Sequence, residues 1–153
     1  MYKLAHCYKN GQGIEKDHSK AVYWYRKAAD LGNPVAMSWL GYCYKCGQGI
    51  ENDQLKGVYW FQKAADLGVS YAMYNLGHCY KNEQGIEKDY SKAVYWYQKA
   101  ADLGNSGAMT WLGYCYKNGQ GIEKDHSKAV YWYQKAADLG DSYALKQLER
   151  LFG

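Results

Sequence analysis

Cys43 and Cys46 are the cysteine pair in this chain with the spacing of a redox dithiol or half a zinc site. Redox dithiols use the positive end of a helix to hold the thiolate, whereas this pair closes a helical pattern at its C-terminal end, where partial negative charge opposes ionisation. A zinc site needs two further ligands, and Cys46 stands where Asn10, Asn82 and Asn118 stand in corresponding segments. The pair therefore reads as one periodic cysteine and one loop substitution. His6-Cys7 and His78-Cys79 are sequence neighbours, and neighbours on a helix do not face each other. His18 and His126 open helical segments and are expected at the surface. No Ser/His/Asp set or acidic pair is present, and Gly47-Gln48-Gly49 lacks the Lys-Ser/Thr that a phosphate loop needs. No catalysis, metal or cofactor is expected.

The remaining candidate chemistry recurs at a fixed step. Lys9, Lys45, Lys81 and Lys117 form a ladder with a 36-residue spacing, as do Tyr23, Tyr59, Tyr95 and Tyr131. The lysines close helical segments, where a cation complements the helix dipole by about 0.3–1 kcal/mol; clustered, they would also suit an acidic strip on a partner. The tyrosines fall opposite an apolar face and are expected to stack on neighbouring side chains. The two ladders leave open a single-stranded nucleic-acid binder that would contact phosphates and stack bases.

These ladders belong to a repeat. Leu4, Leu40, Leu76, Leu112 and Leu148 keep the same step, and the segment Gly13 to Gly32 returns at Gly121 to Gly140 with Gln134 for Arg26 as the one change. Such a period predicts stacked units sharing a continuous core. In each unit a first helix carries its apolar face at Ala36, Leu40, Cys43 and Tyr44, with Gly41 beside it allowing close approach. Glycines then break the helix. Asp17, Asp53, Asp89 and Asp125 are placed to cap a second helix, whose buried face in one copy is Ala93, Trp96, Tyr97, Ala100 and Ala101. Glu83 replaces the first loop glycine of Gly11, Gly47 and Gly119, whereas Gly13, Gly49, Gly85 and Gly121 keep the second, so the second position is expected to make the stricter demand. The units span about 1–33, 34–69, 70–105 and 106–141, with a half-unit at 142–153, and the expectation is one all-α solenoid of helical hairpins over 1–153.

Composition agrees with this. Hydrophobic residues make up 48% and proline occurs once, enough core material for order throughout and no linker composition. Nineteen basic and 15 acidic residues are mixed within every unit, giving +4, too weak and dispersed to imply nucleic acid. No stretch approaches a membrane span of about 18 apolar residues, and no signal-peptide core opens the chain. Five cysteines, four of them at equivalent places about 8–10 Å apart in a helix stack, are too distant for disulfides along it, which favours a reducing, cytoplasmic setting.

The pattern Ala108-Met109-x-x-Leu112-Gly113-x-x-Tyr116-x-x-Gly119-x-Gly121-Ile122-x-x-Asp125-x-x-Lys128-Ala129-x-x-Trp132-x-x-Lys135-Ala136-Ala137-x-x-Gly140 resembles the Sel-1-like repeat, a relative of the tetratricopeptide repeat. The resemblance implies a right-handed α/α superhelix with first helices on the concave side, acting as an adaptor in protein complexes. It also brings in cysteine-rich relatives, associated with β-lactam binding, whose repeats are stapled by disulfides. The matching places here are Ala29 and Ala36, Ala65 and Ala72, and Ala101 and Ala108, so that alternative is disfavoured.

The expected function is a non-catalytic scaffold that takes a protein or peptide partner on the first helices, without nucleic acid or membrane, and with end-to-end self-association through the half-unit ends as a further expectation. The expected contact residues are Ser38, Trp39, Tyr42 and Lys45; Tyr74, Asn75, His78 and Lys81; and Thr110, Trp111, Tyr114 and Lys117. Their types alternate with a 72-residue period: Tyr2, Lys3 and His6 correspond to Tyr74, Asn75 and His78, while Ser38, Trp39 and Tyr42 correspond to Thr110, Trp111 and Tyr114. That alternation predicts separate Trp/Tyr and His/Tyr stations.

Overall fold

The computed structural model describes residues 1–153 as nine α-helices without strands. Helices α1 (Tyr2–Asn10), α3 (Pro34–Cys46), α5 (Ser70–Asn82), α7 (Ser106–Asn118) and α9 (Ser142–Phe152) are first helices. Between them run the second helices α2 (His18–Asp30), α4 (Gln54–Asp66), α6 (Tyr90–Asp102) and α8 (His126–Asp138). The chain forms two compact units, one of Met1–Ala72 with Gln84–Ile86 and one of Met73–Glu83 with Glu87–Gly153.

Local chemistry sets the helix ends. The carboxylates of Asp17, Asp53, Asp89 and Asp125 accept from the backbone N–H three residues on, as expected. Each second helix ends in a reciprocal pair of backbone bonds: Gly32 donates to Ala29 and Asn33 to Ala28, and the pattern recurs after α4, α6 and α8. This is the closure that a left-handed glycine permits. Asn33, Asn105 and Asp141 then cap the following first helix through their side chains.

Within each unit, packing depends on a ring lying against a missing side chain. A Cβ on Gly41 would lie 2.9 Å from the Phe61 ring, one on Gly77 2.5 Å from Tyr97, and one on Gly113 2.7 Å from Tyr133. Those three rings are fully buried, together with Tyr25, which packs in the hairpin where Ala5 takes the glycine's place. Ala36, Leu40, Cys43 and Tyr44 are buried as the periodicity predicts. The second-helix face needs a correction: Tyr97 is fully buried, but Trp96 is only half-buried and meets Tyr95 edge-on at 5.1 Å. The ring opposite glycine takes the interior in every copy, while the neighbouring Trp varies, half-buried at Trp96 and buried at Trp132. Arg26 extends from α2 to donate from Nη2 to the Tyr44 hydroxyl at 2.6 Å, whereas Gln134, its counterpart, bonds Asp138 on its own helix at 2.8 Å.

Glu83 sits at φ 56 and the first-position glycines Gly11, Gly47 and Gly119 at 65–69, while the second-position glycines lie at 70–73. Both positions are thus left-handed. What separates them is space: a Cβ on Gly49 would overlap the His18 carbonyl, on Gly85 that of Gln54, and on Gly121 that of Tyr90. The second glycine is strict because a preceding helix's first turn passes against it, not because of φ alone.

Glu83→Gly should therefore raise stability by about 0.5–1 kcal/mol by relieving a left-handed non-glycine residue. Gly49→Ala should lower it by about 1–3 kcal/mol through overlap. Tyr97→Ala should cost about 3–5 kcal/mol, the range for a buried large ring, and Trp96→Ala clearly less. Urea denaturation followed by circular dichroism measures all four.

Candidate functional site

The expected contact residues divide by burial. Ser38, Asn75 and Thr110 are buried, so none of the three can offer its side chain to a partner. Thr110 Oγ1 lies 3.1 Å from the Ser106 carbonyl and 2.9 Å from Asp141 Oδ2. Trp39, Tyr42, Lys45, Tyr74, His78, Lys81, Trp111, Tyr114 and Lys117 are half-buried, each with one edge toward solvent.

These half-buried residues do not form two kinds of station. In the first unit His6 from α1 meets Trp39 from α3 edge-on at 6.4 Å, and Trp39 stacks with Tyr25 at 6.3 Å and an interplanar angle of 18°. Tyr42 and Tyr71 add rings at 5.9 and 5.5 Å from Trp39. In the second unit His78 meets Trp111 at 5.4 Å, Tyr97 stacks on Trp111 at 6.3 Å and 14°, and Tyr114 lies edge-on at 5.5 Å. The His/Tyr helix and the Trp/Tyr helix of each unit thus supply halves of one composite cluster. The 72-residue period marks this cluster, because the alternating residues of adjacent first helices face together rather than apart.

The lysines complete each cluster. Lys9 Nζ lies 3.2 Å from the Trp39 ring centroid and Lys81 Nζ 3.3 Å from that of Trp111. Partial burial lowers both ammonium pKa values, a cost that attraction to the indole face offsets by about 0.5–2 kcal/mol. These two lysines are seated on rings, so the ladder is not a uniform row of free cations. Lys117 differs again, donating to Gln147 Oε1 at 2.9 Å. Tyr97 and His78 are joined through Oη and Nδ1 at 3.0 Å, and burial pushes the hydroxyls of Tyr25, Tyr97 and Tyr133 far up, so they stay protonated.

The second-helix tyrosines are exposed, each edge-on to the adjacent residue, as in Tyr23 with Trp24 at 5.2 Å. Lys27 sits 5.1 Å over Tyr23, and Lys63, Lys99 and Lys135 repeat the pairing. None of the five cysteines is in a disulfide. Cys43, Cys79 and Cys115 are buried, Cys7 is half-buried and Cys46 is exposed. Burial pushes Cys43 and Cys115 up to about 11, the reverse of what a reactive dithiol requires. No group of three or more His, Cys, Asp or Glu side chains is placed to hold a metal ion, and no helix is long and apolar enough to cross a membrane.

Alkylation near pH 8 should accordingly label Cys46 first, Cys7 next, and Cys43, Cys79 and Cys115 only on unfolding, read by mass mapping. Because the unfolded chain releases these thiol protons at lower pH than the folded one, stability should fall as pH climbs from the ordinary thiol value toward 11.

Comparison with known proteins places this geometry. The Sel1 repeat family model matches residues 1–33, 34–69, 70–105 and 106–141. A solved protective antigen of uropathogenic Escherichia coli strains, described as displaying an SLR fold, is 37% identical with a TM-score of 0.93 over 99% of this chain and 32% of its own. A Sel1 repeat protein from Oxalobacter formigenes is 38% identical with a TM-score of 0.92, covering 97% of this chain and 61% of that one. Helicobacter pylori cysteine rich protein B is 29% identical with a TM-score of 0.69, over 90% of this chain and 99% of its own. Among curated proteins, the ERAD-associated E3 ubiquitin-protein ligase component HRD3A of Arabidopsis thaliana is 45% identical over 42 residues, 27% of this chain and 6% of that protein. The chain thus spans only a small part of that plant protein and about a third of the E. coli one.

Proposed function

We infer the function from the family: the chain belongs to the Sel1 repeat proteins, which are typically protein–protein interaction scaffolds and generally non-catalytic, and its first helices take an extended protein or peptide segment. The observation that carries this reading is the composite cluster repeated in each unit. Trp39 and Trp111 are held by stacked Tyr25 and Tyr97 beneath and by Tyr42 and Tyr114 at the side, yet keep an edge toward solvent. Rings fixed in this way lose little freedom when a partner arrives, which is why Trp and Tyr dominate binding hot spots. Tyr42, Lys45, Tyr74, His78, Lys81, Tyr114 and Lys117 supply the polar rim. Ser38, Asn75 and Thr110 act from below, as packing that holds the helices bearing the rings.

Selection of peptides from a displayed library against the whole chain tests this. Trp39→Ala combined with Trp111→Ala should weaken the selected peptides by about tenfold or more, as for truncated hot-spot rings, while Tyr59→Ala with Tyr131→Ala should leave them within about twofold. Helical content by circular dichroism should match in both. Equal losses would remove the first helices as the binding surface, and binding that collapses with added salt would point to a nucleic-acid-like polyanion instead.

A further inference from the structure

The two composite clusters differ at one corner. In the first unit Tyr71 lies against Trp39 at 5.5 Å, and Val35 and Val69 occupy the adjoining places. In the second unit the corresponding residues are Tyr143, Gly107 and Asp141, and a cleft of about 290 Å³ opens among Tyr74, Trp111, Tyr114 and these three. Gly107 makes room for one wall, since a Cβ there would lie 2.9 Å from the Tyr74 ring. Asp141 supplies a carboxylate where the first unit has valine; its Oδ1 accepts from the Ala144 N–H and its Oδ2 lies 2.9 Å from Thr110 Oγ1. Both bonds fix the carboxylate without neutralising it. The Tyr74 hydroxyl is pushed up by burial and by the Asp141 charge, against a hydrogen bond with Trp111 that lowers it.

We propose that this cleft binds the ammonium group of a lysine-type side chain on a protein partner, with the rings of Tyr114 and Tyr143 beside the cation, Trp111 closing the cleft and Asp141 as its counter-charge. The proposal rests on the partner-binding reading above and names what one station recognises. Electron-rich faces with a fixed carboxylate suit a weakly hydrated cation, trimethylated lysine best of all, and suit an anion or neutral polar group poorly. The Trp111 face is already taken, with Lys81 Nζ 3.3 Å from its centroid, so the tyrosine rings and Asp141 are what the cleft offers a further cation. Lys81 does not line the cleft, whereas Asp141 does, so the nearer charge favours a second cation and Lys81 tempers it.

The test uses the whole chain and small probes, so that it does not depend on finding a partner. Nα-acetyl-trimethyllysine amide is titrated while the indole and tyrosine ring resonances are followed by NMR, beside the analogue in which a neutral tert-butyl group replaces the trimethylammonium. The charged probe should move Trp111 and Tyr143 and bind about fivefold or more tighter than the neutral one, the factor expected of a cation–π contact. Asp141→Asn should weaken it several-fold, and folding is preserved because Asn33 and Asn105 cap the corresponding helices. Lys81→Met should strengthen it. Equal binding of the two probes, no shift at Trp111, or indifference to Asp141→Asn would overturn the proposal. Selected peptides that bind the first helices without any lysine would also overturn it while sparing the partner-binding reading, and a bound probe with no selected peptide would do the reverse.

Discussion

In three of the four hairpins an aromatic ring of the second helix lies where the first helix has no side chain: Phe61 against Gly41, Tyr97 against Gly77, Tyr133 against Gly113. The helix backbones come as near as the flat face of a ring allows, which is why a Cβ would overlap. Interiors are packed to the density of organic crystals, so a methyl group added at Gly41, Gly77 or Gly113 would force its ring to shift, whereas the first hairpin is already arranged around Ala5 and Tyr25. The cap geometry serves it. Carboxylates at Asp17, Asp53, Asp89 and Asp125 start the second helix at the place from which its eighth residue reaches the glycine. The loop glycines Gly49, Gly85 and Gly121 let the hairpin turn pass against the helix before it.

The same contact builds the surface. Tyr25 and Tyr97 have one face committed to the core and extend their outer ends to Trp39 and Trp111, so the indoles rest on groups that cannot move without unpacking the hairpin. Lys9 and Lys81 cover those indoles, and His6 and His78 abut their edges. Recognition residues are thus an outward continuation of the core rather than an addition to it.

Much of this was legible in the residues. Helix ends followed from Asp and Gly positions, because caps are local chemistry, and the buried face of the first helix followed from spacing. Burial of Ser38, Asn75 and Thr110 did not, since a helical wheel drawn for one helix cannot show how far its neighbours cover its flank. The choice of Tyr97 over Trp96 for the interior depends on which ring meets glycine, a tertiary fact. The merging of His78 with Trp111 joins residues 33 positions apart, and the period that announces it does not say whether alternating residues face apart or together. Asp141, the cap of α9, drew no attention in the residues alone; its neighbours Gly107 and Tyr143 give its charge somewhere to act.

The hydrogen bond from Arg26 to Tyr44 has a consequence for how the chain finds its own partners during folding. The α2 and α8 hairpin segments are copies apart from this residue, so a chain at high concentration, or one emerging beside its own copies, meets near-equivalent surfaces in the wrong register. Domain exchange between such modules is a low-cost route to dimers. Arg26 bonds across to Tyr44 whereas Gln134 folds back on Asp138, and a hydrogen bond to a charged donor at a half-exposed site is worth about 1 kcal/mol. One side chain in a twenty-residue copy therefore gives the native pairing a bond that the other copy does not make, a preference of a few-fold at that energy.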